Sequence, residues 1–171
     1  MLNKKVEKAL INQIQLEEQS SRIYMAMASW CEVSGFSGAA KFLYTHSDEE
    51  RMHMTKLIKY VNDKGGHAIL QSLDVPGNTY KNLLDVFEQI LKHEEFVTES
   101  INKLYEIAFK EKDYTTSQFL QWYIEEQIEE ESTFKGILDK FRLAGNETGG
   151  LFHLDKELDA LAMATPAPPA V

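Results

Sequence analysis

Cysteine is nearly absent: Cys31 is the only one in 171 residues. A lone cysteine excludes a disulfide within the chain and any thiolate cluster for zinc or an iron–sulfur centre. Turn formers are scarce too, with 9 glycines and 4 prolines, and Pro168 and Pro169 stand within the last few residues. That scarcity argues against a fold of many short strands and tight turns. Positive charge is in deficit, 18 Lys and Arg against 27 Asp and Glu, for a net −9. A nucleic-acid partner, which needs a basic surface, is therefore not expected. No apolar run approaches the roughly 20 residues of a membrane span, so no membrane partner is expected either. The opening residues Met1 to Lys8 have no apolar stretch of signal-peptide length. The expected setting is soluble, reducing and cytoplasmic.

What the chain does have is long stretches of helix formers with apolar residues at steps of three and four. The spacing predicts a first helix from Lys4 to Glu32, stopped at Ser34-Gly35, with the inward stripe Val6, Leu10, Ile14, Glu17, Ser21, Tyr24, Ala28, Cys31. A second follows from Gly38 to Lys64, with Ser37 as its N-cap and Gly65-Gly66 as its stop. Its stripe is Ala39, Leu43, His46, Glu50, His53, Leu57, Tyr60. The polar segment from His67 to Thr79 is too broken for helix, yet long enough to run the length of a bundle. A third helix is predicted from Tyr80 to Glu111, with stripe Leu84, Phe87, Leu91, Glu94, Val97 or Thr98, Ile101, Tyr105, Ala108. A fourth runs from Tyr114 to Gly145, with stripe Leu120, Tyr123, Gln127, Glu130, Phe134, Ile137, Phe141. A short fifth covers Gly150 to Leu161, and an Ala/Pro-rich tail at 163–171 reads as disordered. The expected fold is all-α: a four-helix bundle in one domain, 1–162, with one long crossover loop and a short C-terminal helix.

The stripes are apolar at their ends and polar in their middles. Glu17, Glu50, His53, Glu94, Gln127 and Glu130 interrupt four helices near mid-length, where a bundle brings helix midpoints to one level. Any one of these glutamates alone would read as a solvated face residue, and a lone histidine as a hydrogen-bonded core residue. Four helices interrupted at one height need a common cause, because buried carboxylates are costly without counter-charge. No Lys or Arg stands on these stripes, so a pair of metal ions is the natural counter-charge. Glu50 and His53 are three apart on one helix face, half of the ligand pattern of carboxylate-bridged two-metal bundles. An oxygen-rich ligand set disfavours structural zinc and suits iron or manganese.

The motifs Gln15-Leu16-Glu17, Asp48-Glu49-Glu50-Arg51-Met52-His53, His93-Glu94 and Phe119 to Glu131 resemble those of bacterial non-haem ferritins, over about residues 1–162. The resemblance implies an iron-storage protein: a 24-subunit homo-oligomeric shell that oxidises Fe(II) with O2 or H2O2 and deposits ferric mineral. It implies one iron at Glu17, Glu50 and His53 and a second at Glu50, Glu94 and Glu130, with Glu50 bridging and Gln127 beside the pair. It also implies Tyr24 near the centre, a third, outlying iron site at Glu49, Glu126 and Glu129, and Trp122 as an electron donor or a packing residue. Haem is not expected, since Arg51 follows Glu50 where bacterioferritins have a haem-ligating Met, and Gln127-x-x-Glu130 replaces their second Glu-x-x-His. Animal ferritins carry acidic channel residues that match Ser117 and Leu120 here, so their entry route is not expected to carry over. A non-storage di-iron enzyme, an oxygenase or peroxidase, remains a second reading of the same bundle.

Overall fold

A computed structural model describes residues 2–145 and 148–164. They form α1 (Lys4–Val33), α2 (Ser37–Asp63), α3 (Leu83–Lys110), α4 (Tyr114–Ala144) and α5 (Thr148–Ala164), with no strand among the described residues. The first four make the bundle. Two helix ends are built as the sequence suggests. Gly35 and Gly65 take left-handed φ values of 89° and 77°, and the next amides, Phe36 and Gly66, turn back to the carbonyls of Cys31 and Val61.

Contacts between helices set the directions. Residues 13, 20 and 24 of α1 meet residues 100, 93 and 94 of α3, so α1 and α3 are antiparallel. The short turn at Ser34–Phe36 makes α1 and α2 antiparallel as well. Hence α2 and α3 run the same way, and the chain must return the full length of α2, about 40 Å for its 27 residues. The segment between them does so alongside α1. Gln15 donates to the Ser72 carbonyl, and Gln19 exchanges hydrogen bonds with the Asp74 backbone. The crossover expected from reach is therefore present.

Every stripe residue expected on α1 and α4 is buried, and on α2 all but Tyr60 are. The core face of α3 differs. Leu83, Val86, Ile90 and Leu104 are buried there, while Leu84, Leu91 and Tyr105 are only partly so. This helix is apolar around a wide arc, and the packed neighbours, rather than periodicity, choose its phase. It also starts at Leu83, not Tyr80, because Asn82 is extended and accepts the Asp85 amide as N-cap. The buried apolar residues fall into two clusters, one including Tyr24, Phe42, Phe87 and Phe134, the other Leu10, Ile14, Leu57 and Ile101. A polar band separates them.

Ser37 does not cap α2. It is the first helical residue, and Phe36 at the cap position makes no side-chain bond. The cap comes from α5: Asp155 Oδ2 and Oδ1 accept from the amides of Gly38 and Ala39 at 3.0 and 2.8 Å. A Cβ on Gly38 would lie 1.9 Å from the Asp155 carbonyl oxygen, so only glycine permits this approach. Leu154, Leu158 and Ala162 then pack into the core beside Cys31. The burial of Cys31 pushes its thiol up to about 12. α5 continues to Ala164, so Met163 and Ala164 are helical rather than tail, and 165–171 lie outside the described residues. Asp155→Ala should cost about 1 kcal/mol, as loss of an N-cap does, and should lower the melting temperature followed by circular dichroism. Asp155→Asn, which keeps one acceptor oxygen, should recover part of the loss.

Candidate metal centre

The polar band holds Glu17 from α1, Glu50 and His53 from α2, Glu94 from α3, and Gln127 and Glu130 from α4. All six are buried, and Glu94 is 0% exposed. Glu17, Glu50 and His53 each offer a ligand atom within 4.8 Å of the others. His53 Nδ1 is 3.9 Å from Glu17 Oε2 and 3.6 Å from Glu50 Oε2. The electrostatics are those of a site short of cations. Among the described residues, the ion-pair partners of Glu17, Glu50 and Glu130 are histidines. Glu50 Oε2 and Glu130 Oε2 are buried with no hydrogen-bond partner among the described residues. Burial, then the neighbouring carboxylates, hold Glu17, Glu50 and Glu130 well above the usual carboxylate range.

Three side chains orient the carboxylates. The Tyr24 hydroxyl donates to Glu94 Oε1. Gln127 Nε2 donates to Glu94 Oε2 at 3.1 Å and to the Glu94 carbonyl at 3.3 Å, so its amide nitrogen backs Glu94. Gln13 does the same for Glu17 at 2.8 Å, and its own carbonyl accepts from Ser100 at 2.7 Å. Gln13 is 1% exposed, and the stripe of α1 omits it. Its signal is weak, a glutamine four residues before an inward glutamate. Such partners fix ligand orientation in metal sites.

The outlying carboxylates are more open. Glu49 and Glu126 are partly buried and Glu129 is exposed. All three line one cavity of about 360 Å³ together with His46 and Glu130. Glu126 Oε1 is 3.8 Å from His53 Nε2, which links that cavity to the centre. Trp122 stands edge-on to His53 with ring centroids 5.3 Å apart, and Lys56 Nζ lies 3.1 Å over its ring. Ser117 and Leu120 are 5% and 0% exposed. Both side chains are buried within the subunit.

The raised carboxyl groups have a signed consequence. A folded-state value above the unfolded one means stability that is whole below the ordinary carboxylate range and lost as pH climbs through the folded values. A bound divalent ion replaces those protons. The rise in melting temperature on adding Co(II) to metal-free protein should therefore be larger at about pH 7.5 than at about pH 5.5. An equal rise at both would contradict the burial of ionisable ligands.

This geometry has known counterparts. Residues 7–144 match the sequence profile of the Ferritin-like domain family. The chain is 45% identical over 162 residues to a probable bacterial non-heme ferritin-like protein of Haemophilus influenzae, covering 95% of this chain and 98% of that one. It is 44% identical to a bacterial non-heme ferritin of Campylobacter jejuni, with 96% and 98% covered. Among solved structures, an open-pore ferritin of the archaeon Archaeoglobus fulgidus superposes with a TM-score of 0.91 at 37% identity, over 92% of this chain and 96% of that one. With four helices carrying one buried carboxylate band and relatives matched over nearly their whole length, this chain belongs to the ferritin family.

Proposed function

We propose that this chain stores iron: it oxidises Fe(II) at the buried centre and delivers Fe(III) to a mineral held inside a shell of 24 copies. The observation that carries the reading is the pair of orphaned buried oxygens, Glu50 Oε2 and Glu130 Oε2, in a band of carboxylates with no Lys or Arg partner among the described residues. Such a band is several kcal/mol out of balance until cations enter. The names of the relatives and their near-complete overlap favour storage over an oxygenase or peroxidase.

Fe(II) is the substrate. Glu17, Glu50 and His53 receive one ion, and Glu50, Glu94 and Glu130 the second, so that Glu50 bridges. Each ion loses one electron. With oxygen as acceptor, two electrons and two protons give hydrogen peroxide. With peroxide as acceptor, the O–O bond breaks and two protons complete two waters. Fe(III) acidifies its bound water more strongly than Fe(II), so the product hydrolyses and grows as oxyhydroxide. Tyr24 and Gln127 both bond to Glu94, and Gln13 bonds to Glu17. These three are positioning residues in this reading. Glu49, Glu126 and Glu129, which line the neighbouring cavity, are the third, outlying iron site in this reading.

Assembly is supported by apolar side chains left in water: Val75 is 93% exposed, Leu143 88% and Val33 83%. A lone subunit gains nothing from them, while symmetric contacts would cover them. The reducing cytoplasm, which supplies Fe(II), is the compartment proposed.

His53→Ala and Glu94→Ala should each slow the initial rate of Fe(II) oxidation at least about tenfold, on the scale of lost metal ligands and their orienting groups. Both should still elute as full-size shells. The rate is read by stopped-flow absorbance at two Fe(II) per chain. Wild-type initial rates in both variants would overturn the assignment.

A further inference from the structure

Glu131 closes the motif that begins at Phe119, and it is not among the carboxylates of the centre. It stands half-buried where α4 faces α3 and accepts two hydrogen bonds there. Lys135 Nζ, one turn further along α4, donates to Glu131 Oε2 at 2.7 Å, and the Thr98 hydroxyl of α3 donates to Glu131 Oε1 at 2.7 Å. The Thr98 oxygen in turn accepts from Gln127 Nε2 at 3.3 Å. That same nitrogen donates to the carboxylate and the carbonyl of Glu94. A chain of polar contacts thus runs from the exposed Lys135 through Glu131, Thr98 and Gln127 to the buried Glu94.

The Thr98 bond departs from habit. A hydroxyl inside a helix commonly donates to the carbonyl four residues back. Ser20, Thr45, Thr55 and Ser117 all do so, to Leu16, Lys41, Arg51 and Asp113. For Thr98 that carbonyl belongs to Glu94, and Gln127 donates to it instead. Glu131 draws the Thr98 hydrogen across to α4, so the Thr98 oxygen turns only lone pairs toward Gln127. This decides which way the amide of Gln127 lies. Turned over, its oxygen would stand 3.1 Å from Glu94 Oε2 and 3.3 Å from the Thr98 oxygen, acceptor against acceptor. Thr98, Gln127 and Glu131 also line a cavity of about 400 Å³ between α3 and α4. The hydroxyl holds the amide there against competition from water.

We propose that Thr98 and Glu131 are positioning residues of the metal centre: they fix the Gln127 amide with its nitrogen inward and so aim Glu94 at its ion. Neither residue is itself a ligand. The inference rests on the reading above, in which Glu94 holds an ion.

The test uses full-length assembled protein and Co(II), whose visible absorption bands report the geometry of its ligands. Thr98→Val keeps the shape and loses the hydroxyl. It should weaken Co(II) binding at the centre about tenfold and shift the bands. Thr98→Ser keeps the hydroxyl and loses the methyl, and it should restore wild-type affinity and bands. Glu131→Ala should weaken binding too, and in the double variant the two losses should not add, because both break one chain. Should Thr98→Val not assemble, Glu131→Ala is read in its place, and wild-type affinity there overturns the inference. So do wild-type affinity and bands in Thr98→Val, losses that add, or a Thr98→Ser variant as weak as Thr98→Val. Glu94→Ala separates the two failures. If it keeps wild-type Co(II) binding, the site assignment falls and this inference with it. If it loses an ion while Thr98→Val binds as wild type does, only the positioning role falls.

Discussion

Carboxylates buried without cations are the constraint from which the rest of the structure follows. Each would cost several kcal/mol if ionised alone. In the metal-free bundle, burial and the neighbouring carboxylates push Glu17, Glu50 and Glu130 well above the usual carboxylate range, which favours their neutral forms. Hydrogen bonds from Tyr24, Gln13 and Gln127 meet part of the cost. Two buried oxygens are still left without partners. Cations resolve all three. The core is accordingly two apolar clusters with a polar band between them. The apolar ends supply the folding energy that lets the middle be unfavourable.

The topology serves the band. No single helix hairpin could surround two ions with four carboxylates. Two hairpins can, if the second is laid against the first with its midpoint at the same height. The crossover alongside α1 does this, and the links from Gln15 and Gln19 to its backbone set its course. α5 then ties down the start of α2 through Asp155. The helix that carries Glu50 and His53 is therefore anchored at an end far from both.

Much of this is legible in the sequence because burial follows period. Glu17, Glu50, His53, Glu94, Gln127 and Glu130 all stand on apolar stripes, and all are buried. Other features escape for physical reasons. A helix buries an arc rather than a line, so Gln13, Ser20 and Phe42 are buried beside the stripes on α1 and α2. On α3 the apolar arc is broad, and its phase depends on what packs against it. The α2 cap comes from a residue 117 positions away, beyond any local pattern. His46 is a stripe residue, but its pairing with Glu130 exists only once α2 meets α4. The three outlying glutamates, grouped by resemblance, line one cavity, where Glu49 also lies beside His46 and Glu126 beside His53.

The most direct test of the account is the iron retained per chain after aerobic Fe(II) loading of metal-free protein and passage through a sizing column. Storage predicts many irons per chain, co-eluting with a very large particle. A plateau at about two irons per chain in a small oligomer, as for an isolated two-metal bundle, would contradict it and turn the search to an organic substrate.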